Sequence, residues 1–355
     1  MKTKNIFIIL AAVIFPLVIV CSCKTYLLPT YKLMKININK EDADDLMQEF
    51  VINISEYAKA YAKIKRADSG FNFLIVPQNA PELAFYDCEI GNGNECDDYI
   101  DAIDGIGLEE LFFNSKAAKK TDLIKLQAAK HLKTNYGLPV FVSDYVNSPA
   151  SSYAYLDSIN LNETDNGFIA YPRVSGNYHY LLISSARNVN TISINNLTDA
   201  KNYLYLISTN KEENKTTDTR QKMINEIKST NFDIVIMDLY HDEDKNNFEP
   251  SQIAQLKTKA NGTKRLVLAY INIGAAEMYR YYWQGNPPYL VKPYGEGYTD
   301  EYLVGYWTDA WQKIIFNNGI DNDPQDNSYI KQIIDAGFDG IYLDNVASYE
   351  KIFEK

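Results

Sequence analysis

From about residue 42 onward the chain alternates amphipathic stretches with short apolar runs. Between Asp42 and Arg66, Leu46, Phe50, Ile54, Tyr57 and Tyr61 recur at three- and four-residue spacing, which predicts a helix with one buried stripe. Eight apolar runs then read as strands: Phe73–Pro77, Tyr99–Ile106, Pro139–Tyr145, Tyr203–Ser208, Asp233–Tyr240, Arg265–Ile273, Tyr302–Trp307 and Gly340–Asp344. Helical patterns at Lys120–Tyr136, Thr217–Ser229, Pro250–Ala260 and Asn327–Ala336 separate several of them. Strand–helix–strand units of that kind join parallel neighbours. Eight of them predict an α/β fold closed as a (β/α)8 TIM barrel, with an open doubly wound sheet as the alternative. The Asn-, Ser- and Tyr-rich stretch 148–197, with a hairpin candidate at Tyr178–Ser184, reads as a connection between two halves, 43–147 and 198–355.

Length fits that reading, since 355 residues hold one barrel of about 250 residues plus a leader and some decoration. Residues 1–23 read as a secretion signal: Lys2 and Lys4 precede an apolar run from Ile6 to Val20, which is short for a membrane span. Ser22-Cys23 after that run resembles a bacterial lipobox, so Cys23 is the expected lipidation site and 24–42 a tether. Cys21 fits less well, and a simple cleaved signal or an uncleaved anchor is the alternative. In every case the body is expected outside the cytoplasm, with a membrane contact through the lipid. Export in turn predicts a disulfide between Cys88 and Cys96, whose Gly-Asn-Gly-Asn spacer turns the chain back. His131, His179 and His241 are scattered, so no metal site and no cofactor is expected.

Charge and aromatic content narrow the partners. A net charge of −11 argues against a nucleic-acid partner and suits a cationic ligand. The 28 tyrosines offer faces for stacking on a ligand. A monomer is expected.

In a barrel the chemistry sits beyond the C-terminal strand ends. Reading those ends gives Asn79, Glu109 and Glu110, Asp144, Asp238, Glu277, Asp309 and Asp344. A single acid there is ordinarily a helix cap or a solvated loop residue. So many together fit glycoside cleavage, which uses one protonated and one ionised carboxyl group. No Gly-rich dinucleotide fingerprint, phosphate loop or nucleophile elbow competes with them.

Five blocks, FDIVIMDLY, LVLAYINIGAAEMYRYYW, GFDGIYLDNV, FLIVPQNAPEL and IDGIGLEELFF, together resemble the endo-α-1,4-polygalactosaminidase family, glycoside hydrolase family 114, over roughly 43–147 and 198–355. In that family the YLDN-like block precedes the QN and IDGIG blocks, whereas here it follows them, so the resemblance implies a circular permutant. Two half-barrels that assemble with a second chain are the alternative. The resemblance implies Asp344 and Glu109 as the catalytic pair, with Asp344 as nucleophile or base and Glu109 as general acid. It also implies a cleft lined by Asp238, Glu277, Arg280, Asn345, Gln78 and Asn79, to which Asp144 and Trp307 are added as substrate-binding candidates. The expected substrate is an α-1,4-linked, galactosamine-containing polysaccharide, cationic where deacetylated. Ala275 and Ala347 stand where bacterial relatives often carry acids, which keeps a glycan-binding lipoprotein on a degenerate barrel as the second reading.

Overall fold

Strand side chains alternate between two faces, and in this chain both faces are apolar, the pattern of a parallel sheet covered on both sides. The computed structural model describes residues 31–114, 117–146, 152–173, 183–207, 219–241, 246–319 and 325–354. The predicted leader with Cys21 and Cys23, and most of the hairpin candidate at Tyr178–Ser184, lie outside the described residues. Lys32–Lys355 forms one compact unit.

Eight short parallel strands carry the site: β1 (Leu74–Pro77), β2 (Ile106–Glu109), β3 (Val140–Ser143), β4 (Ile169–Ala170), β5 (Tyr203–Leu206), β6 (Ile234–Asp238), β7 (Leu266–Asn272) and β8 (Gly340–Asp344). One ladder runs β1-β8-β7-β6-β5 and a second runs β2-β3-β4. A parallel bridge between Gln78 and Gly107 links β1 to β2. Between β4 and β5 the contact is aromatic, with the Tyr171 and Tyr203 rings 5.4 Å apart. Neighbours therefore follow chain order, and β8 pairs with β1, register Leu343 opposite Pro77.

Nine helices are found among the described residues: α1 (Ala43–Arg66), α2 (Asp97–Ala102), α3 (Leu123–Tyr136), α4 (Tyr153–Ile159), α5 (Thr219–Lys228), α6 (Pro250–Leu256), α7 (Asp309–Phe316), α8 (Tyr329–Ala336) and α9 (Ser348–Lys351). The long α1 buries Met47, Phe50, Val51, Ile54 and Ala58, and packs on α2, α8 and α9. Of its predicted stripe, Phe50, Ile54 and Tyr57 are buried, while Leu46 and Tyr61 are half-buried.

Alternate strand residues meet in one buried cluster: Leu74 and Val76, Tyr203 and Tyr205, Ile234 and Ile236, Leu268 and Tyr270, and Tyr342. The intervening Ile75, Val235, Val267 and Ile341 are buried as well. Close packing on the cluster side explains the glycine of the IDGIG block, because a Cβ on Gly107 would lie 2.0 Å from the Tyr342 hydroxyl. At the N-terminal strand ends, Asp104, Asp233 and Asp339 pair with Lys59, Lys259 and Lys257 at 3.4, 2.8 and 2.6 Å. Those acids hold elements together and leave the opposite, C-terminal ends for the site.

Three expectations need correction. Tyr99–Ile106 is not one strand: Asp97 and Asp98 open the helix α2, where acids suit the N-terminus, and the strand begins at Ile106. Tyr302–Trp307 does not join the parallel set; Glu301–Val304 pairs antiparallel with Ala275–Glu277 and Leu290–Pro293 in a small separate sheet. The connection 148–197 contains a parallel strand, β4, that pairs with β3. At two residues it is too short to show a period.

Cys88 and Cys96 are free. The Cys88 thiol sits 3.5 Å from Asp44 Oδ2 and 3.8 Å from the Tyr349 hydroxyl, facing α1 and α9, while Cys96 is buried at the start of α2. The Gly-Asn-Gly-Asn turn is formed, yet its two ends send their sulfurs to different neighbours.

Candidate active site

Register decides which side chains meet. Asp344 ends β8 opposite Asn272 of β7, Gln78 follows β1, and Glu109 ends β2. Strands about 4.8 Å apart put the Asp344 and Glu109 backbones roughly 10 Å apart with β1 between them. After burial, the Glu109 charge is the strongest influence raising Asp344. Residues far apart in the chain thus lie at the same, C-terminal end of the strands, on either side of β1.

Asp344 accepts two short hydrogen bonds, from the Tyr270 hydroxyl at 2.7 Å and from the Asn345 amide at 2.7 Å. Burial and the nearby Glu109 charge nevertheless push its carboxyl up to about 6. Glu109 is held differently. Arg173 Nη2 donates to it at 2.6 Å and Gln78 Nε2 at 3.2 Å, while its own amide donates to Asn79 Oδ1 at 2.7 Å. Gln78 and Asn79, expected to line the cleft, both bond Glu109.

Asp238, Glu277 and Arg280 are buried and bonded to each other. The guanidinium reaches Asp238 through two nitrogens at 3.0 and 2.7 Å and Glu277 through Nε at 2.7 Å. Tyr279 also donates to Glu277. The guanidinium braces this triad, and its carboxylates are already committed.

Two expected binding residues are placed elsewhere. Asp144 is fully buried and accepts from the Phe112 and Phe113 amides at 2.9 and 3.3 Å, and from Ser158 and Asn162 at 2.8 Å each. Its four acceptor positions are engaged in anchoring the loop after β2. Trp307 packs on Tyr306 and donates its indole N–H to Asn37 at 2.8 Å, tying down the segment before α1. Asn345 takes the left-handed backbone (φ 59°) and accepts from the Tyr294 hydroxyl at 2.6 Å. That turn is possible because Gly274 lies against it, where a Cβ would be 2.1 Å from the Asn345 carbonyl oxygen.

The small sheet adds residues that the strand-end rule did not select. Glu301 lies directly opposite Glu277, and burial, followed by the charges of Glu277 and Asp344, pushes it up to about 8. At neutral pH it is a protonated carboxyl that can donate a hydrogen bond. Tyr294 and the exposed Tyr298 stack edge to face at 5.2 Å, and both feel the charges of Asp344, Glu109 and Glu301. Lys351 of α9 donates to the Tyr294 hydroxyl at 2.6 Å. Arg173, just past the two-residue β4, and Tyr270, on the inward face of β7, were equally unselected. The inward period of LVLAYIN was the one available signal for Tyr270.

Residues 208–354, which carry Asp238, Glu277, Arg280 and Asp344, match the model of glycoside-hydrolase family GH114. Over that segment the chain is similar to family GH114. Among similar proteins, an uncharacterized protein of Methanocaldococcus jannaschii is 36% identical over 132 residues, 36% of this chain and 34% of the relative. One of Thermotoga maritima is 33% identical over 130 residues, 35% of this chain and 36% of its own. One of Deinococcus radiodurans is 29% identical over 136 residues, 37% and 38% of the two chains. The matched segment thus spans little more than a third of each of these relatives.

Proposed function

We propose that the protein is an exported glycoside hydrolase that cleaves an α-1,4-linked, galactosamine-containing polysaccharide with Asp344 and Glu109. The observation that carries this reading is the placement of these two carboxylates at the C-terminal ends of β8 and β2, on either side of β1, the strand ends that also carry Asp238 of the Asp238–Arg280–Glu277 triad. Hydrolysis of a glycoside uses that equipment: one carboxyl group gives a proton to the leaving oxygen, and the other attacks the anomeric carbon or activates water. The family match supports the reaction class.

In this reading the eight strands close as one barrel across β4 and β5, in an order permuted relative to the family. The first and last of the eight strands, β1 and β8, are hydrogen-bonded neighbours, which suits such a permutation. The acidic residues Glu109, Glu110, Glu301 and Asp344 near the cleft suit a cationic amino sugar, and the exposed Tyr298 offers it a stacking and cation contact. The leader with Cys23 would place the enzyme on the cell envelope. The test is release of reducing ends from partly deacetylated galactosaminan by the soluble body. Binding without release would favour the second reading, a glycan-binding lipoprotein, which Ala275 and Ala347 favour.

A further inference from the structure

The Asp344 carboxyl group takes its direction from one donor on each oxygen. The Tyr270 hydroxyl donates to Oδ2 and the Asn345 amide to Oδ1, each at 2.7 Å. Tyr270 is fixed by its place in β7, between Asp238 of β6 and Tyr342 of β8. The other donor is the next backbone N–H along the chain, and the turn made by Asn345 decides where it points. Asn345 has φ 59°, in the left-handed region that residues with a side chain enter at a cost and asparagine more readily than most.

That turn is braced through backbone and side chain alike. The Asp344 carbonyl accepts from the Ile273 amide at 3.1 Å, and the Asn345 carbonyl accepts from the Ser348 amide at 3.0 Å. On the side-chain side, the Tyr294 hydroxyl donates to Asn345 Oδ1 at 2.6 Å and accepts from Lys351 Nζ at 2.6 Å. An ammonium group can only donate and an amide oxygen can only accept, so the chain runs from Lys351 through Tyr294 to Asn345. The small antiparallel sheet places Tyr294 in turn. Its amide donates to the Glu301 carbonyl at 3.0 Å, its ring meets Tyr298 edge to face at 5.2 Å, and Lys351 Nζ lies 4.4 Å from the ring centre. Burial, and after it the Asp344 charge, raises the Tyr294 hydroxyl above its ordinary value, so it keeps the proton that it donates.

We propose that Tyr294 is a positioning residue for Asp344, holding through Asn345 the turn whose amide orients the catalytic carboxyl group. This rests on the hydrolase reading above. It gives the excursion between β7 and α7 a part in the reaction, with Lys351 of α9 as the support of Tyr294. Asn345, expected as a substrate contact, has its side-chain oxygen engaged in this brace. A carboxyl group that attacks the anomeric carbon or activates water works only in a narrow range of positions. Loss of the brace therefore slows the chemical step and leaves binding of the ground state in place.

Steady-state release of reducing ends from partly deacetylated galactosaminan tests this with Tyr294→Phe, which removes the hydroxyl and keeps the ring. The kcat is expected to fall at least about tenfold, with KM within about twofold of wild type. Lys351→Met should lower kcat in the same sense, and Lys351→Arg, which keeps a donor, should retain most of the rate. Asn345→Gly keeps the amide and suits the left-handed turn but lacks the side-chain anchor. Adding Tyr294→Phe to it should cost no further activity, because both changes break one link. A Tyr294→Phe enzyme with wild-type kcat, or one whose loss lies in KM alone, overturns the positioning role and leaves the hydrolase reading intact. So does a Tyr294→Phe, Asn345→Gly enzyme in which the two losses multiply. Should Tyr294→Phe not fold, a Lys351→Met enzyme of wild-type kcat overturns the role in its place. A folded wild type that releases nothing overturns the hydrolase reading and this inference with it.

Discussion

Asp344→Asn should make the protein more stable at neutral pH, and the gain should vanish in acid. The folded protein raises this carboxyl from its ordinary 3.8 to about 6, mainly through burial and then through the Glu109 charge. A raised carboxyl contributes stability below the unfolded value, near pH 4, that is lost as pH rises through the folded value, near pH 6. About two pH units at about 1.36 kcal/mol each make the change up to about 3 kcal/mol. Asparagine mimics the protonated acid and keeps an acceptor for the Tyr270 hydroxyl, so it escapes that loss. Urea unfolding of wild type and variant at half-unit steps from pH 3.5 to 8 measures the difference. The account expects the variant's advantage to grow by up to about 3 kcal/mol between pH 4 and 6 and then to level off. A difference that stays constant over that range would refute the burial of this charge.

Glu301→Gln should show the same sign over a wider window, because its folded value is about 8: the variant gains on wild type as pH rises from about 4.5 to 8, read in the same unfolding series. Arg280→Met leaves Asp238 and Glu277 buried without their cation and should cost about 3–5 kcal/mol in chemical denaturation. Gly107→Ala places a methyl on the Tyr342 ring and should cost about 1–3 kcal/mol or more, with a lower midpoint in thermal unfolding.

Much of the architecture was legible because apolar runs in parallel strands are continuous and bounded. Runs such as FDIVIMDLY and LVLAYINI appear as β6 and β7 within one or two residues of their expected ends. The stretch Tyr99–Ile106 misled because Tyr99 and Ile100 are apolar in a helix that a pair of aspartates opens. β4 was hidden by its length, and with it Arg173, the cation on Glu109. Asp344 and Glu109 were selected from strand ends and family resemblance, yet the partners that hold each of them lie across strands. Arg173 is 64 residues from Glu109, and Tyr270 is 74 from Asp344. Asp144 showed the limit of the strand-end rule: an acid there can be consumed by backbone amides, and spacing alone does not distinguish that fate from a ligand contact. Glu301 escaped for the complementary reason, since it lies on an antiparallel excursion and reaches the site through its pairing with Glu277.

The most direct test of the central claim is reducing-end release from partly deacetylated galactosaminan by the soluble body, measured beside folded Asp344→Asn and Glu109→Gln variants. The account predicts release by wild type and a loss of at least about a hundredfold in each variant. A folded wild type that releases nothing, or either variant working at the wild-type rate, would contradict it.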